Sequence, residues 1–409
     1  MNSVVVSHPH AAAVAVGTAC ALDREGMLAA LLTGAGAARY SWRGSLLQRL
    51  STRWPRLANR VWTLDARRIQ TLGSVEIGAR LVSKAARRLG RRTPSQYDAL
   101  FVGHDAAAAL MPWPRGVTAV YAYEDGALRT FRKAARRNVA RILDQPSPFW
   151  RTVEKVWLEE SRRWPGAMGS APPLEPEWKK RRKDEELALA DAVSVASAFT
   201  RASLVEAGYR GSVILTPYGY PVELFSYRTK TPDGPFTVIS VGTQDLRKGT
   251  PYLLEAWRKA GLRDARLRLI GPMRLTEEFL KPYRQLFEQV APLPKVQLER
   301  EYQAADLLAF PTLGDGFGLV IQEAMCCGTP ALTTRCGGGP ECITSGTDGL
   351  IVPEANVEVL VEALRWAAAN RDRLWEMGRA ARRRAEAWMW DDAGLDLTRR
   401  LSAVLRTRA

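Results

Sequence analysis

Short apolar runs separated by stretches of helical period set the rhythm of the chain. The first half carries VVVSH (4–8), a small-residue helix, LAALL (28–32), DALFVGH (98–104) and VTAVYAY (117–123). The second half repeats the alternation with FTVISVG (236–242), a helix, ARLRLIG (265–271), LLAF (307–310) and ALTT (331–334). Strand, helix, strand in this order predicts parallel sheets covered by helices, once in each half. Between the halves, TPYGYPVELFSYRTKTPDGP (216–235) is dense in Pro and Gly without a helical period and suits a linker. The expected architecture is α/β: two Rossmann-like, doubly wound domains, 1–216 and 217–385, facing across a cleft. The final segment, 386–409, with Leu395, Leu397, Leu401 and Leu405, is expected to fold as helix and pack back on the first domain. Ligands of open parallel sheets bind at the carboxyl ends of the strands, which makes the cleft the natural site.

Length and composition agree with this reading. A chain of 409 residues exceeds the size at which a single core keeps growing. With 46% hydrophobic and 25% charged residues it is an ordinary globular sequence. No window approaches the ~18 uninterrupted apolar residues of a membrane span. The nearest, AAAVAVGTACAL (11–22), is broken by Gly17 and Thr18 and lacks the basic flank of a signal peptide. Cys20, Cys326, Cys327, Cys336 and Cys342 form no paired C-x-x-C set, as expected of reduced thiols in a cytoplasmic protein.

The formal charge of +16 changes the picture more. Arginine-rich clusters at 132–137 (RKAARR), 179–183 (KKRRK) and 379–384 (RAARRR) make anionic partners candidates: phosphate-bearing ligands, nucleic acid or a lipid surface. The ordinary reading of each cluster alone is a solvated helix face. The stretch SWRGSLLQRLSTRWPRLANRVW (41–62) alternates apolar, Trp and Arg residues as an interfacial helix does, so peripheral membrane contact is a further expectation beside that of a helix packed on the first sheet.

Candidate chemistry concentrates in DGFGLVIQE (315–323). The expected order is strand 307–310, loop 311–318 and helix 319–327, closed by Gly328 and Pro330. Gly314, Gly316 and Gly318 keep side chains out of a loop at the positive end of a helix, which makes an anion site. Asp315 and Glu323 are good acceptors for hydroxyl groups. Phosphate between two polyols is the shape of a nucleotide sugar, with ribose at Glu323, diphosphate at the loop amides and hexose at Asp315. A purely local role, Glu323 pairing nearby and Asp315 opening a turn, is the alternative. In VGTQDLRKGTPYLLEAW (241–257), Thr250 reads as an N-cap before Pro251, and Arg247 and Lys248 stand where cations and helix amides converge on a diphosphate. GGGPECITSGTDGLIVP (337–353) permits a third close backbone approach, with Glu341 at the start of a helix.

These stretches together resemble one family. DGFGLVIQEAMCCGTPALTT is similar to the E-x7-E signature of retaining GT-B glycosyltransferases of family 4, with Asp315 in place of the first Glu. PYGYPVELF, RKGTPYLLEAW, YQAADLLAFPT, GTDGLIVP and AWMWDDAGLDL resemble further motifs of that family, in its order, from about residue 186 onward. YAYEDGALRTFRKA and RKDEELALADAVSVASAFT resemble a bacterial subset of it. The resemblance implies a nucleotide-diphosphate sugar donor on the C-terminal domain, a glycan or lipid-linked acceptor on the N-terminal domain, and no metal ion or other cofactor. It places Glu323 on the ribose, Asp315, Gly316, Phe317, Gly318 and Leu319 around the donor, and Gly242 and Thr243 beside it. Arg247 and Lys248 neutralise the departing diphosphate. His104, ending a strand, faces the donor sugar or simply closes that strand. Glu124 and Asp125 contact the acceptor or cap the helix that follows them. Thr243 stands where many members carry an arginine.

The activity implied is hexosyl transfer with retention of anomeric configuration, in glycan, glycolipid or polysaccharide synthesis. Two rivals were weighed: a related scaffold with epimerase, phosphorylase or non-catalytic function, and a basic nucleic-acid or anion-binding protein. The last accounts for the charge but not for the spaced carboxylates, so no nucleic acid is expected as partner.

Overall fold

The computed structural model describes residues 2–34, 36–51, 61–73, 78, 95–229 and 234–408. Two parallel sheets dominate it. The first contains β1 (Val4–Ser7), β2 (Leu28–Thr33), β5 (Ile69–Thr71), β6 (Ala119–Tyr123), β7 (Ala140–Asp144), β8 (Ala192–Val195) and β9 (Ser212–Leu215), in the order β5-β2-β1-β6-β7-β8-β9. The second contains β10 (Phe236–Val241), β11 (Ala265–Ile270), β12 (Glu288–Val290), β13 (Leu307–Phe310), β14 (Ala331–Thr333) and β15 (Gly349–Ile351), in the order β12-β11-β10-β13-β14-β15. Short β3 (Ala37–Ala38) and β4 (Val61–Trp62) pair apart. Every residue of β1, β6, β8 and β13 is buried, as strands covered on both faces must be.

Each sheet has one place where the strand order reverses direction: between β1 and β6 in the first, between β10 and β13 in the second. Loops leaving the two strands diverge there and open a crevice. The chain crosses between the sheets at 216–235 and returns at the end. The helix Trp390–Arg408 buries Leu397, Leu401 and Leu405 in one core with Val4, Val6 and Tyr121. Gly394 lets it approach Ala21 closely: a Cβ there would lie 2.7 Å from the Ala21 Cβ. The helix Trp150–Arg163 belongs by sequence to the first half, yet Trp157 is buried in one core with Tyr252 and Leu253 of the second.

Four local expectations differ from what is observed. DALFVGH is not a strand but part of the helix Gln96–Leu110. Ser95 caps it by accepting the Asp98 N–H, and the apolar run continues as DAAAAL, which suits either period until the cap decides. Thr250 is not a cap but the first residue of the helix Thr250–Ala260; Gly249, at φ 71°, stands at the cap. The 179–183 cluster is no solvated face: Lys180, Arg182 and Lys183 are buried on the helix Glu177–Leu189 and are paired with carboxylates. The stretch 41–62 is a helix over Trp42–Ser51 and a strand at Val61–Trp62 with Trp62 fully buried, while 52–60 lie outside the described residues.

Candidate functional site

The crevice of the second sheet is built by the loops after β10 and β13. Lys248, from the first, forms an ion pair with Asp315, from the second. The Asp315 Oδ1 also accepts the Phe317 N–H at 3.2 Å. Burial alone would push the Asp315 carboxyl up, but Lys248 and Arg247 overcome it and hold it below the usual range. Arg247 donates to the Gly314 carbonyl at 2.6 Å and so braces the same loop. Behind it, Asp245 accepts the Lys248 N–H at 2.9 Å through Oδ1, and its carbonyl takes the Thr250 N–H. The start of the Thr250 helix is thus closed by its own loop. The helix Leu319–Cys326 likewise begins at a left-handed glycine, Gly318, φ 89°, with no side-chain cap. One turn on, Glu323 accepts from the Tyr302 hydroxyl at 3.0 Å, and burial raises its pKa. Gly271, at φ 130°, lets the β10 and β11 loops meet, since a Cβ there would fall 2.1 Å from the Gly242 carbonyl oxygen, and Gly242 itself takes φ 124°.

The first sheet's crevice faces it across a cavity of about 520 Å³. Thr243, Arg247 and Arg274 line it from one side, His8, His10, Glu124 and Asp125 from the other. Asp125, at φ 71°, makes the turn from β6 into the helix Leu128–Arg136. Neither Glu124 nor Asp125 caps that helix. Glu186 takes the amides of Asp125, Ala127 and Leu128, and Asp105 takes those of Arg129 and Thr130. Arg182 joins the two acids, at 2.6 Å to Asp105 and 3.0 Å to Glu186. Glu124 and Asp125 instead meet Lys183 and Lys179, and Gln145 donates to Glu124 at 2.8 Å.

His104 does not line the cavity. It sits within the 96–110 helix, 3.1 Å from the Ser7 hydroxyl, where burial pulls its pKa down to about 4 and keeps it neutral. His8 and His10, at the end of β1, occupy the wall instead. Burial lowers His8 well below its ordinary value.

The two crevices are held together by direct bonds. Ser197 caps the helix Ala198–Glu206 and donates to the Gly316 carbonyl at 2.6 Å, which Thr200 also reaches at 3.2 Å. Glu341 accepts the Ala198 N–H at 2.7 Å. Gly316 is pressed on the opposite loop so closely that a Cβ would stand 1.8 Å from the Pro146 carbonyl oxygen. Its lack of a side chain therefore serves contact between the halves. Gly316→Ala is expected to lower stability by about 1–3 kcal/mol and to enlarge the radius of gyration by X-ray scattering. An unchanged radius and melting temperature would contradict this packing.

Residues 223–384 match the model of the family described as Glycosyl transferases group 1. The match lies within the C-terminal half of the chain. Over the whole chain the fold is GT-B. Sucrose-phosphate synthase from Thermosynechococcus elongatus covers 100% of both chains with a TM-score of 0.67 at 18% identity. Anabaena Alr3699/HepE, solved in complex with UDP-glucose, covers 98% of this chain and 100% of its own with a TM-score of 0.60 at 14% identity. Among curated proteins, D-inositol 3-phosphate glycosyltransferase of Gordonia bronchialis is 41% identical over 100 residues, 24% of this chain and 22% of that one. Its counterpart in Saccharomonospora viridis is 37% identical over 111 residues, 26% of each. The chain thus spans about a quarter of the length of these relatives.

In the C-terminal half Lys248 pairs with Asp315, which takes the Phe317 N–H. Of the expected site residues, Thr243, Arg247, Glu124 and Asp125 line the cavity, whereas Lys248, Asp315, Gly316, Phe317, Gly318, Leu319, Glu323 and Gly242 are not among its lining residues. Reading the sequence missed His8, His10, Tyr97, Glu175, Lys179 and Lys183, which also line the cavity. The signal for the histidines was present: VVVSHPH ends a buried strand, and strand ends face ligands in this architecture. No comparable signal marked the lysines, whose burial follows from helix packing.

Proposed function

We propose that the protein transfers a hexosyl unit from a nucleoside-diphosphate sugar to an acceptor hydroxyl with retention of configuration, in the cytoplasm. The observation that supports it most is the Lys248–Asp315 pair beside the uncapped Gly318 helix start, at the strand-order reversal of the second sheet. A diphosphate on those amides lies within the field of Lys248 and Arg247, and charge developing on it as the anomeric bond breaks is stabilised where it grows. Asp315 accepts hexose hydroxyls and Glu323 the ribose hydroxyls. The acceptor attacks from the face the leaving group departs, and a phosphate oxygen takes its proton, so retention needs no separate base. Lysine and arginine supply the positive charge in this reading, with no metal ion required. The units 1–216 with 386–409, and 217–385, act as two jaws that exclude water.

Titrating UDP, GDP and ADP, read by calorimetry, tests the donor assignment. Binding of one of them is expected, and Glu323→Gln is expected to weaken it about tenfold, the loss of one charged hydrogen bond. Binding unaffected by Glu323→Gln, or absent for all three nucleotides, would overturn the assignment.

A further inference from the structure

In the wall of the cavity opposite the donor crevice, Glu124, Asp125 and Glu175 share two lysines with Asp98, which does not itself line the cavity. Lys179 lies 2.9 Å from Asp98, 3.1 Å from Asp125 and 3.3 Å from Glu175. Lys183 lies 2.8 Å from Glu175, 3.2 Å from Glu124 and 3.8 Å from Asp125. Neither ammonium is free to receive an anion. Two further basic side chains nearby are also engaged: Lys180 by Glu154 at 2.5 Å and Glu177 at 2.9 Å, and Arg182 by Asp105 and Glu186. His8 is held neutral by burial. The arginines that reach the cavity, Arg247 and Arg274, come from the loops after β10 and β11, on the donor side.

What the wall offers a ligand is hydrogen-bond acceptors and an aromatic face. Glu124 receives Lys183 and Gln145 on Oε1. Asp125, which lines the cavity, keeps Oδ1 without a hydrogen bond among the described residues, with the Lys183 ammonium 3.8 Å away. Such atoms are costly to leave unmet and are satisfied by donors. Beside them Tyr97 lines the cavity, stacked on Phe101 with centroids 4.3 Å apart and still 53% exposed. Hydroxyl donors on one edge and a C–H face for an aromatic ring are the two features of a sugar ring.

We infer that the acceptor is an uncharged, polyhydroxylated ring, the unphosphorylated sugar at the end of a glycan or glycoside. Its hydroxyls donate to Glu124 and Asp125, its face lies on Tyr97, and acceptors bearing phosphate or carboxylate at that ring are rejected by the same carboxylates. The inference rests on the transferase reading, and it separates this chain from relatives whose printed names specify a phosphorylated inositol. It also gives the carboxylates a second role: like charges facing an anion discriminate by repulsion as well as by lost contacts.

The test has two arms. In the first, saturation-transfer difference NMR without nucleotide compares methyl glucoside, galactoside, mannoside and N-acetylglucosaminide with the matching sugar 6-phosphates and uronic acids. Contact is expected for at least one neutral glycoside and for none of the anions, and Tyr97→Ala is expected to abolish it. In the second, sugar transfer from UDP-glucose, ADP-glucose or GDP-mannose to the same panel is followed by mass spectrometry. Neutral acceptors are expected to exceed their 6-phosphates at least tenfold in kcat/KM, and Glu124→Gln is expected to narrow that ratio several-fold. Failure of transfer with glycoside contact retained would overturn the transferase reading and leave the acceptor assignment standing. Contact or transfer favouring the phosphorylated sugars, or a ratio unmoved by Glu124→Gln with contact unmoved by Tyr97→Ala, would overturn the acceptor assignment.

Discussion

Lys248→Met is expected to reduce sugar transfer by about 10²–10³-fold, the effect of deleting one charge-stabilising donor from a water-poor site. The loss should fall mainly on kcat, since negative charge on the diphosphate is greatest as the anomeric bond breaks. The variant also leaves the buried Asp315 carboxylate without its partner. Burial, which already pushes that carboxyl upward, then acts without the opposing lysine and raises its pKa. A native Asp315 held low contributes stability above its unfolded pKa that is lost as pH falls through the folded value, so the wild type gains stability from this pair at neutral pH. Lys248→Met is expected to lose that gain. Adding Asp315→Asn should restore melting temperature without restoring activity. Single-turnover rates and thermal unfolding of the wild type and these two variants separate the two roles. A Lys248→Met enzyme with near-normal kcat would remove the lysine from the proposed mechanism.

Arg182→Ala is expected to be the most destabilising single change, by about 3–5 kcal/mol, the cost of breaking a buried ion pair from one side. Its guanidinium lies between Asp105 and Glu186, both fully buried, and its Nε also donates to the Asp125 carbonyl at 3.0 Å. Those acids hold five amides in the turn after β6 and at the start of the Leu128–Arg136 helix, next to Glu124 and Asp125. Removing the arginine leaves two adjacent buried carboxylates to repel each other. Arg182→Lys should recover only part of the loss, since an ammonium cannot span both acids as the planar fork does. Chemical denaturation of the three proteins reads the effect. A loss under about 1 kcal/mol, the range of exposed pairs, would show that this network is solvated.

Much of the fold is legible in the chain because a parallel strand buried on both faces must be a short, uninterrupted apolar run. FTVISV and LLAF are such runs, while ARLRLI, next to the edge strand β12, alternates and leaves Arg266 exposed. DALFVGH is a different case. Its run suits strand or helix equally, and the choice lies outside it, in Ser95 and in the alanines that follow. The donor crevice is legible for a related reason: glycines at 314, 316 and 318 and carboxylates at 315 and 323 are local. Even so, their partners are distant in sequence. Lys248 reaches Asp315 across 67 residues and Tyr302 reaches Glu323 across 21.

The amino-acid order alone determined two parallel sheets and a glycine-rich loop before the Leu319–Cys326 helix, since each depends on periodicity or backbone freedom within a few residues. Tertiary packing decided the rest. KKRRK looks like a surface run until the Glu177–Leu189 helix turns Lys180, Arg182 and Lys183 toward acids from other elements. His104, expected at a strand end facing the donor, is buried within a helix, and His8, for which no role was expected, lines the cavity instead. Gly316 meets Pro146 across the cleft rather than standing open to a ligand. Charge burial and contact between halves are set by which surfaces meet, and that is a property of the assembled sheets, not of any one segment.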